Sequence, residues 1–168
     1  MARSLWLVPP PALHDRLSAT IAALASRHGT ASFEPHVTLL GGLEGREETL
    51  LSKARALAER LRAFDVRLLE ASTGVDFFHC VFVSVDETPE LLRAHALARE
   101  ALGTATAEAF RPHLSLVYGR LDAGEKEAAR QVAGELESCF TADALHVVDT
   151  SGDVPGWRRL ASYRFAAV

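Results

Sequence analysis

The chain reads as an α+β protein built from two similar lobes, and three observations carry that reading. A ten-residue stretch occurs twice: Phe33-Glu34-Pro35-His36-Val37-Thr38-Leu39-Leu40-Gly41-Gly42 returns as Phe110-Arg111-Pro112-His113-Leu114-Ser115-Leu116-Val117-Tyr118-Gly119, with Thr38 answered by the hydroxyl of Ser115. The two histidines stand 77 residues apart, and the opening strands expected near Leu5 and Phe82 keep the same offset, so a weak duplication covers nearly the whole chain. Around each copy, segments of period two and period 3.6 follow in the order strand, helix, histidine strand, helix, strand. The 168 residues fit one domain, read as 1–168 with repeats at approximately 3–73 and 80–149.

The elements follow in order. Ser4 to Val8 is short and apolar and ends at three prolines, which cannot donate to a ladder, so it is read as a strand. Leu13, Leu17, Ile21 and Leu24 then recur at helical spacing up to Gly29. From Pro35 the period becomes two, which puts His36, Thr38 and Leu40 on one face of a strand and Val37 and Leu39 on the other. Glu47 to Arg62 reads as a helix burying Leu50, Leu51, Ala54, Leu57, Ala58 and Leu61. Phe64 to Leu69 alternates as a strand, and Phe77 to Val85, bulky on both faces, reads as a central strand after a turn near Gly74. Thr88-Pro89 starts a helix with Thr as N-cap and Pro at the first position. The second histidine strand puts His113, Ser115 and Val117 on one face and Leu114, Leu116 and Tyr118 on the other. Asp122-x-x-Glu125 resembles a capping box for a helix running to about Ser138. Ala144 to Val148 and Leu160 to Phe165 supply two last strands.

Composition narrows the function classes. Hydrophobic residues make up 48% and charged residues 24%, and no run approaches the ~18 apolar residues of a membrane span. The apolar run after Arg3 is shorter than the core of a secretory signal, so a cytoplasmic location is expected. Cys80 and Cys139 lack metal-ligand spacing and read as two reduced thiols. The net charge is −4, with 16 Arg and 2 Lys scattered along the chain, which argues against long nucleic acid as a partner. A small anionic ligand, no membrane and a monomer are expected.

The chemistry lies in the repeat. An imidazole titrates near pH 6.5, so of two near neutral pH one can be neutral and the other protonated, a general base and a general acid together. In-line displacement at phosphorus needs both: one group takes a proton from the attacking water while the other protonates the leaving alkoxide. The hydroxyls of Thr38 and Ser115 could donate to the non-bridging phosphate oxygens. This chemistry calls for no metal and no cofactor, and two His-x-Thr/Ser copies supply only two of the three or four ligands of a zinc site. A lone His in an apolar strand is ordinarily structural; the matched second copy changes that reading. His14, His28, His95 and His146 read as surface or packing residues, and His79 as a strand residue facing away from its neighbour Cys80.

The pair His36-Val37-Thr38 and His113-Leu114-Ser115 resembles the signature of the two-histidine phosphoesterase superfamily. Leu5-Trp6-Leu7-Val8-Pro9-Pro10, Phe77-Phe78-His79-Cys80-Val81 and Pro112-His113-Leu114-Ser115-Leu116-Val117-Tyr118-Gly119 are similar to its cyclic phosphodiesterase branch, and the resemblance runs from about Leu5 to Tyr163. It implies a bilobal fold of two pseudo-symmetric lobes of antiparallel-rich sheet, with helices outside and a central cleft. It implies hydrolysis of ADP-ribose 1″,2″-cyclic phosphate to ADP-ribose 1″-phosphate, or of nucleoside 2′,3′-cyclic phosphates to the 2′-phosphate, as in the metabolism of tRNA-splicing by-products. His36, Thr38, His113 and Ser115 match the family's catalytic positions. Tyr118 matches a pocket position, although strict alternation turns it away from Ser115 and a twist or bulge is needed to bring it back. Trp6 and Phe78 are further pocket candidates, able to stack on a base or ribose or simply to fill the core. His113 is assigned as base and His36 as acid, an assignment that pseudo-symmetry allows to be reversed.

Two other readings stand beside this one. An enzyme of RNA ends, acting as a 2′,3′-cyclic or 2′,5′ phosphoesterase or ligase, would carry a basic track from the cleft, which the scattered Arg residues do not suggest. A nucleotide-binding module without turnover would bind product and hydrolyse nothing.

Overall fold

A computed structural model of the chain describes residues 2–103, 109–133 and 136–167. The elements run β1 (Arg3–Leu7), α1 (Pro11–His28), β2 (Val37–Leu43), α2 (Glu47–Arg60), β3 (Phe64–Thr73), β4 (Val81–Val85), α3 (Pro89–Leu102), β5 (His113–Val117), α4 (Ala123–Ala133), β6 (Ser138–Ala142), β7 (Ala144–Asp149) and β8 (Arg158–Arg164). Local chemistry sets many of the boundaries. Gly29 closes α1 in the left-handed conformation, at φ 63°, which glycine adopts without strain. Thr88 caps α3 by accepting the Leu91 amide at 3.3 Å. Asp122 and Glu125 cap α4 reciprocally, each carboxylate accepting the other's backbone N–H at 2.8–2.9 Å.

The eight strands form one antiparallel sheet in the order β6-β3-β4-β5-β2-β1-β7-β8. The two histidine strands β2 and β5 are neighbours at its middle, with Val37 opposite Leu114. The sheet is pseudo-symmetric about this seam, because β1 flanks β2 as β4 flanks β5. Each repeat gives its last strand away: β3 pairs with β4 of the second repeat, and β7 pairs with β1 of the first. The lobes in space are therefore not the repeats in sequence.

Helices cover one face of the sheet. α1 packs on β5 and α3 on β2, so the helices cross the seam as the strands do. Leu5, Leu7, Val37, Leu39, Leu114 and Leu116 point into this core with Leu17, Ile21 and Leu91, all at 0–1% exposure. Because the side-chain period is two, the residues between them, Trp6, Thr38, His113 and Ser115, take the opposite face.

Two expectations are corrected. Phe77 to Val85 is not one strand: Phe77–His79 is a single 3₁₀ turn folded over the sheet, and only Val81–Val85 joins the ladder. Phe77 and Phe78 are 41% and 50% exposed, as aromatics outside the core must be. The last helix does not reach Ser138: α4 ends at Ala133, Gly134 and Glu135 lie outside the described residues, and Ser138–Ala142 is the edge strand β6. Phe140 and Ala142 are buried while Cys139 and Thr141 between them are exposed, a period-two signal overlooked at the helix's end. Among the described residues no helix is long and apolar enough to cross a membrane. Cys80 is buried and Cys139 exposed, both as free thiols.

Candidate active site

The site is built on the β2–β5 seam. Continuing the register from Val37 and Leu114, His36 lies opposite Ser115 and Thr38 opposite His113, all four on the face away from the helices. The antiparallel pairing thus converts two sequence copies of His-x-Thr/Ser into one four-residue cluster, each imidazole beside the other copy's hydroxyl. Neighbouring strands extend the row, Trp6 of β1 pairing with Thr38 and Ser84 of β4 with His113.

Both imidazoles are held the same way. His36 Nδ1 lies 2.7 Å from the carbonyl oxygen of Glu34, and His113 Nδ1 lies 2.9 Å from that of Arg111, in each case two residues back. A carbonyl can only accept, so each Nδ1 carries the hydrogen and each Nε2 of the neutral ring presents a lone pair. Here the prolines act: Pro35 and Pro112 separate carbonyl from histidine and restrict the preceding residue to extended conformations.

The two sites differ in burial. His36 is 4% exposed, with the ring of Trp6 stacked on it at 3.5 Å and 8°. Burial drives its pKa down to about 3, the Glu34 hydrogen bond opposing and the nearby His113 adding to the fall. His113 is less covered; burial lowers its pKa too, opposed by the Arg111 carbonyl and reinforced by His79. Thr38 is partly exposed, whereas Ser115 is 3% exposed and donates its hydroxyl to the carbonyl of Phe78 at 3.0 Å.

Tyr118 reaches this face through a bulge. Val81 pairs with Val117 but Phe82 pairs with Ser115, so β5 carries one extra residue, Leu116, and the alternation resets beyond it. The Tyr118 hydroxyl then faces His36 Nε2 at 3.5 Å, with its ring stacked on Phe33 at 3.9 Å. Burial pushes the phenol pKa up, the Ser115 hydroxyl working against it, so Tyr118 keeps its proton. Of the aromatic candidates, Trp6 is 3% exposed and turned onto His36, whereas Phe78 is 50% exposed and packs edge-on against Tyr118.

Two residues join the site that sequence reasoning missed. His79 Nε2 lies 3.1 Å from His113 Nδ1, because the 3₁₀ turn carries it over the sheet instead of along it. Trp157, from the loop before β8, packs near Trp6, Phe78 and Tyr118 at 5.7–6.1 Å, its indole N–H buried without a partner among the described residues. A large aromatic set among Gly152, Pro155 and Gly156 was the available signal for Trp157; His79 had none outside the turn. Beside His113, a cavity of about 400 Å³ is bordered by Thr38, Gly41, Asp76, His95 and Arg111, and another of about 480 Å³ by Gly74, Ser84 and Glu87. His79 and His113 border both. Among the described residues no three His, Cys, Asp or Glu side chains converge as metal ligands.

An antiparallel sheet with helices on one face and a symmetric pair of His-x-Thr/Ser strands at its centre defines a two-histidine phosphoesterase. Solved structures agree on the fold. A Thermus thermophilus protein superposes with a TM-score of 0.67 at 17% identity, over 98% of each chain. LigT of E. coli, complexed with 3′-AMP, superposes with a TM-score of 0.65 at 15% identity, again over 98% of each. Within that class, residues 1–165 match the model of the cyclic phosphodiesterase-like protein family, and the chain belongs to it. A cyclic phosphodiesterase of Arabidopsis thaliana is 30% identical over 135 residues, 80% of this chain and 75% of that protein. A 2′,3′-cyclic-nucleotide 3′-phosphodiesterase of Yarrowia lipolytica is 29% identical over 208 residues, 100% of this chain and 92% of that one. The chain is accordingly a phosphoric diester hydrolase by family.

Proposed function

We propose that the chain hydrolyses ribose cyclic phosphates without a metal, using His36 and His113 as its acid–base pair. One observation carries this: both imidazoles stand on one face of the seam with Nδ1 tied to a carbonyl, which turns both Nε2 atoms toward the site, that of His36 beside the Tyr118 hydroxyl. A cyclic phosphate seated across the seam would meet one Nε2 on the side of the attacking water and the other on the side of the leaving oxygen. The base takes the water proton as oxygen bonds to phosphorus, and the acid gives its proton to the ribose oxygen as that P–O bond breaks.

Burial favours a reversed division of labour from the one first assigned. His36, with its pKa near 3, starts neutral, as a base must; His113, less deeply covered, is the one that a bound anionic phosphate can hold protonated. Thr38 donates to a non-bridging oxygen, and Ser115 does so once its hydroxyl turns from the Phe78 carbonyl. Tyr118 hydrogen-bonds from beside His36, and Phe78 offers an exposed ring to a base or ribose, while Trp6 acts through His36.

Nucleoside 2′,3′-cyclic phosphates and ADP-ribose 1″,2″-cyclic phosphate are the substrates proposed. The name of the Yarrowia lipolytica relative supports the 3′ oxygen as leaving group. The two free thiols fit a reducing, cytoplasmic setting. The test is turnover of each compound in EDTA. Activity should persist, and His36→Ala and His113→Ala should each lower it by about 10²–10⁴-fold. Product binding without turnover would make the chain a nucleotide-binding module, and turnover confined to RNA ends would make it an RNA-processing enzyme.

A further inference from the structure

We propose that His79 is a positioning residue for His113, the two imidazoles forming a proton-sharing pair that sets when His113 can act as the acid. The inference rests on His113 having that role. Its basis is geometric: His79 Nε2 and His113 Nδ1 are 3.1 Å apart, with ring centroids at 3.9 Å tilted by 40°. Phe82 stands edge-on to both rings, at 5.7 Å from His79 and 5.6 Å from His113.

The His113 Nδ1 hydrogen faces two acceptors, the Arg111 carbonyl and His79 Nε2. His79 accepts only when its own proton is on Nδ1, so a neutral His79 stabilises the imidazolium of His113. A protonated His79 sets N–H against N–H and drives the proton off His113. Protonation of one ring therefore opposes protonation of the other, so the two form a coupled unit. Around the pair stand Asp76 of the same turn, Glu87 and Arg111 at the cavity walls, His95 across the other cavity, and Lys126 of α4, bound to the Gly74 carbonyl at 2.8 Å. The turn itself is clamped. Gly74 N–H donates to the Cys80 carbonyl at 3.1 Å, the His79 amide donates to Asp76 at 3.1 Å, and a Cβ on Gly74 would lie 2.2 Å from the His79 carbonyl oxygen. His79 is held at its partner by backbone.

The test compares wild type, His79→Gln, which keeps an acceptor but cannot titrate, and His79→Phe, which fills the space and does neither. In NMR of ¹⁵N-histidine-labelled protein, His113 should titrate in two coupled steps in the wild type and in one step in both variants. kcat should fall about tenfold in H79F with KM within about twofold, and H79Q should recover most of it. The pH profile of H79Q should lose the lower of the two coupled steps. Identical His113 titrations in all three proteins, or equal kcat losses in H79Q and H79F, would reduce His79 to a filler of the turn. The NMR needs no substrate, so coupled titration in a protein without turnover would overturn the catalytic reading of the site while upholding the pair.

Discussion

His36 and His113 each donate Nδ1–H to a carbonyl two residues back but differ in burial, and the pH behaviour of the protein follows from that difference. If His113 is the acid it must be protonated, and burial lowers its pKa, so kcat/KM should fall as pH rises through a midpoint below 6.5. For kcat the same midpoint should lie higher, because bound phosphate favours the imidazolium; pH profiles of the two constants check this. Stability has its own pH dependence. The unfolded chain protonates His36 near 6.5 and the folded one only near 3, so the unfolded state binds more protons between those values. This contribution is fully present above pH 6.5 and declines on acidification by about 1.4 kcal/mol per pH unit across that window. Urea titrations from pH 7 to 4 should show this slope on top of those from His113 and His146, whose pKa values burial also lowers, and His36→Gln should reduce the total by about that amount. Trp6, a pocket candidate from the sequence, is 3% exposed and stacked on the His36 ring, so under the proposed reading it would act through the histidine and not on substrate.

At the scale of elements, the seam was legible and the coverings were not. That His36, Thr38, His113 and Ser115 share one face was readable because strand alternation is a period the sequence displays, and the two copies singled that face out. The need for a bulge at Tyr118 was also readable, since its match to a pocket position conflicted with the alternation, and the register shift at Leu116 resolves the conflict. His79 was not readable. Phe77-Phe78-His79 has the bulk of a strand, and what bends it into a turn is the tertiary closure of Gly74 against Cys80, which no local pattern encodes. β6 was lost for a related reason: Ala129, Val132, Ala133 and Leu136 keep a helical spacing in the sequence up to the start of the strand at Ser138. Gly74→Ala should force the turn apart, lowering kcat more than tenfold and abolishing the coupled titration of His113, whereas an unchanged titration would show that the turn can absorb a Cβ.

At the scale of the whole molecule, the exchange of β3 and β7 between repeats makes the seam a property of the complete sheet. Neither repeat contains a complete lobe: residues 1–79 hold β3 without its partners β4 and β6, and β1 without β7. A fragment of residues 1–79 should therefore give the poorly dispersed NMR spectrum of an unfolded chain; a dispersed, cooperative fragment would show that the repeats fold as units. The exchange also explains why catalysis should be lost whole, since the two halves of the site lie on neighbouring strands of one ladder. The most direct measurement is phosphorus NMR of the protein acting on a 2′,3′-cyclic nucleotide in EDTA, beside His36→Ala and His113→Ala. The cyclic phosphate signal should give way to a 2′-phosphate alone, and persist in both variants. A folded wild-type protein that leaves the signal untouched, or a His36→Ala protein that clears it at the wild-type rate, would contradict a two-histidine phosphodiesterase.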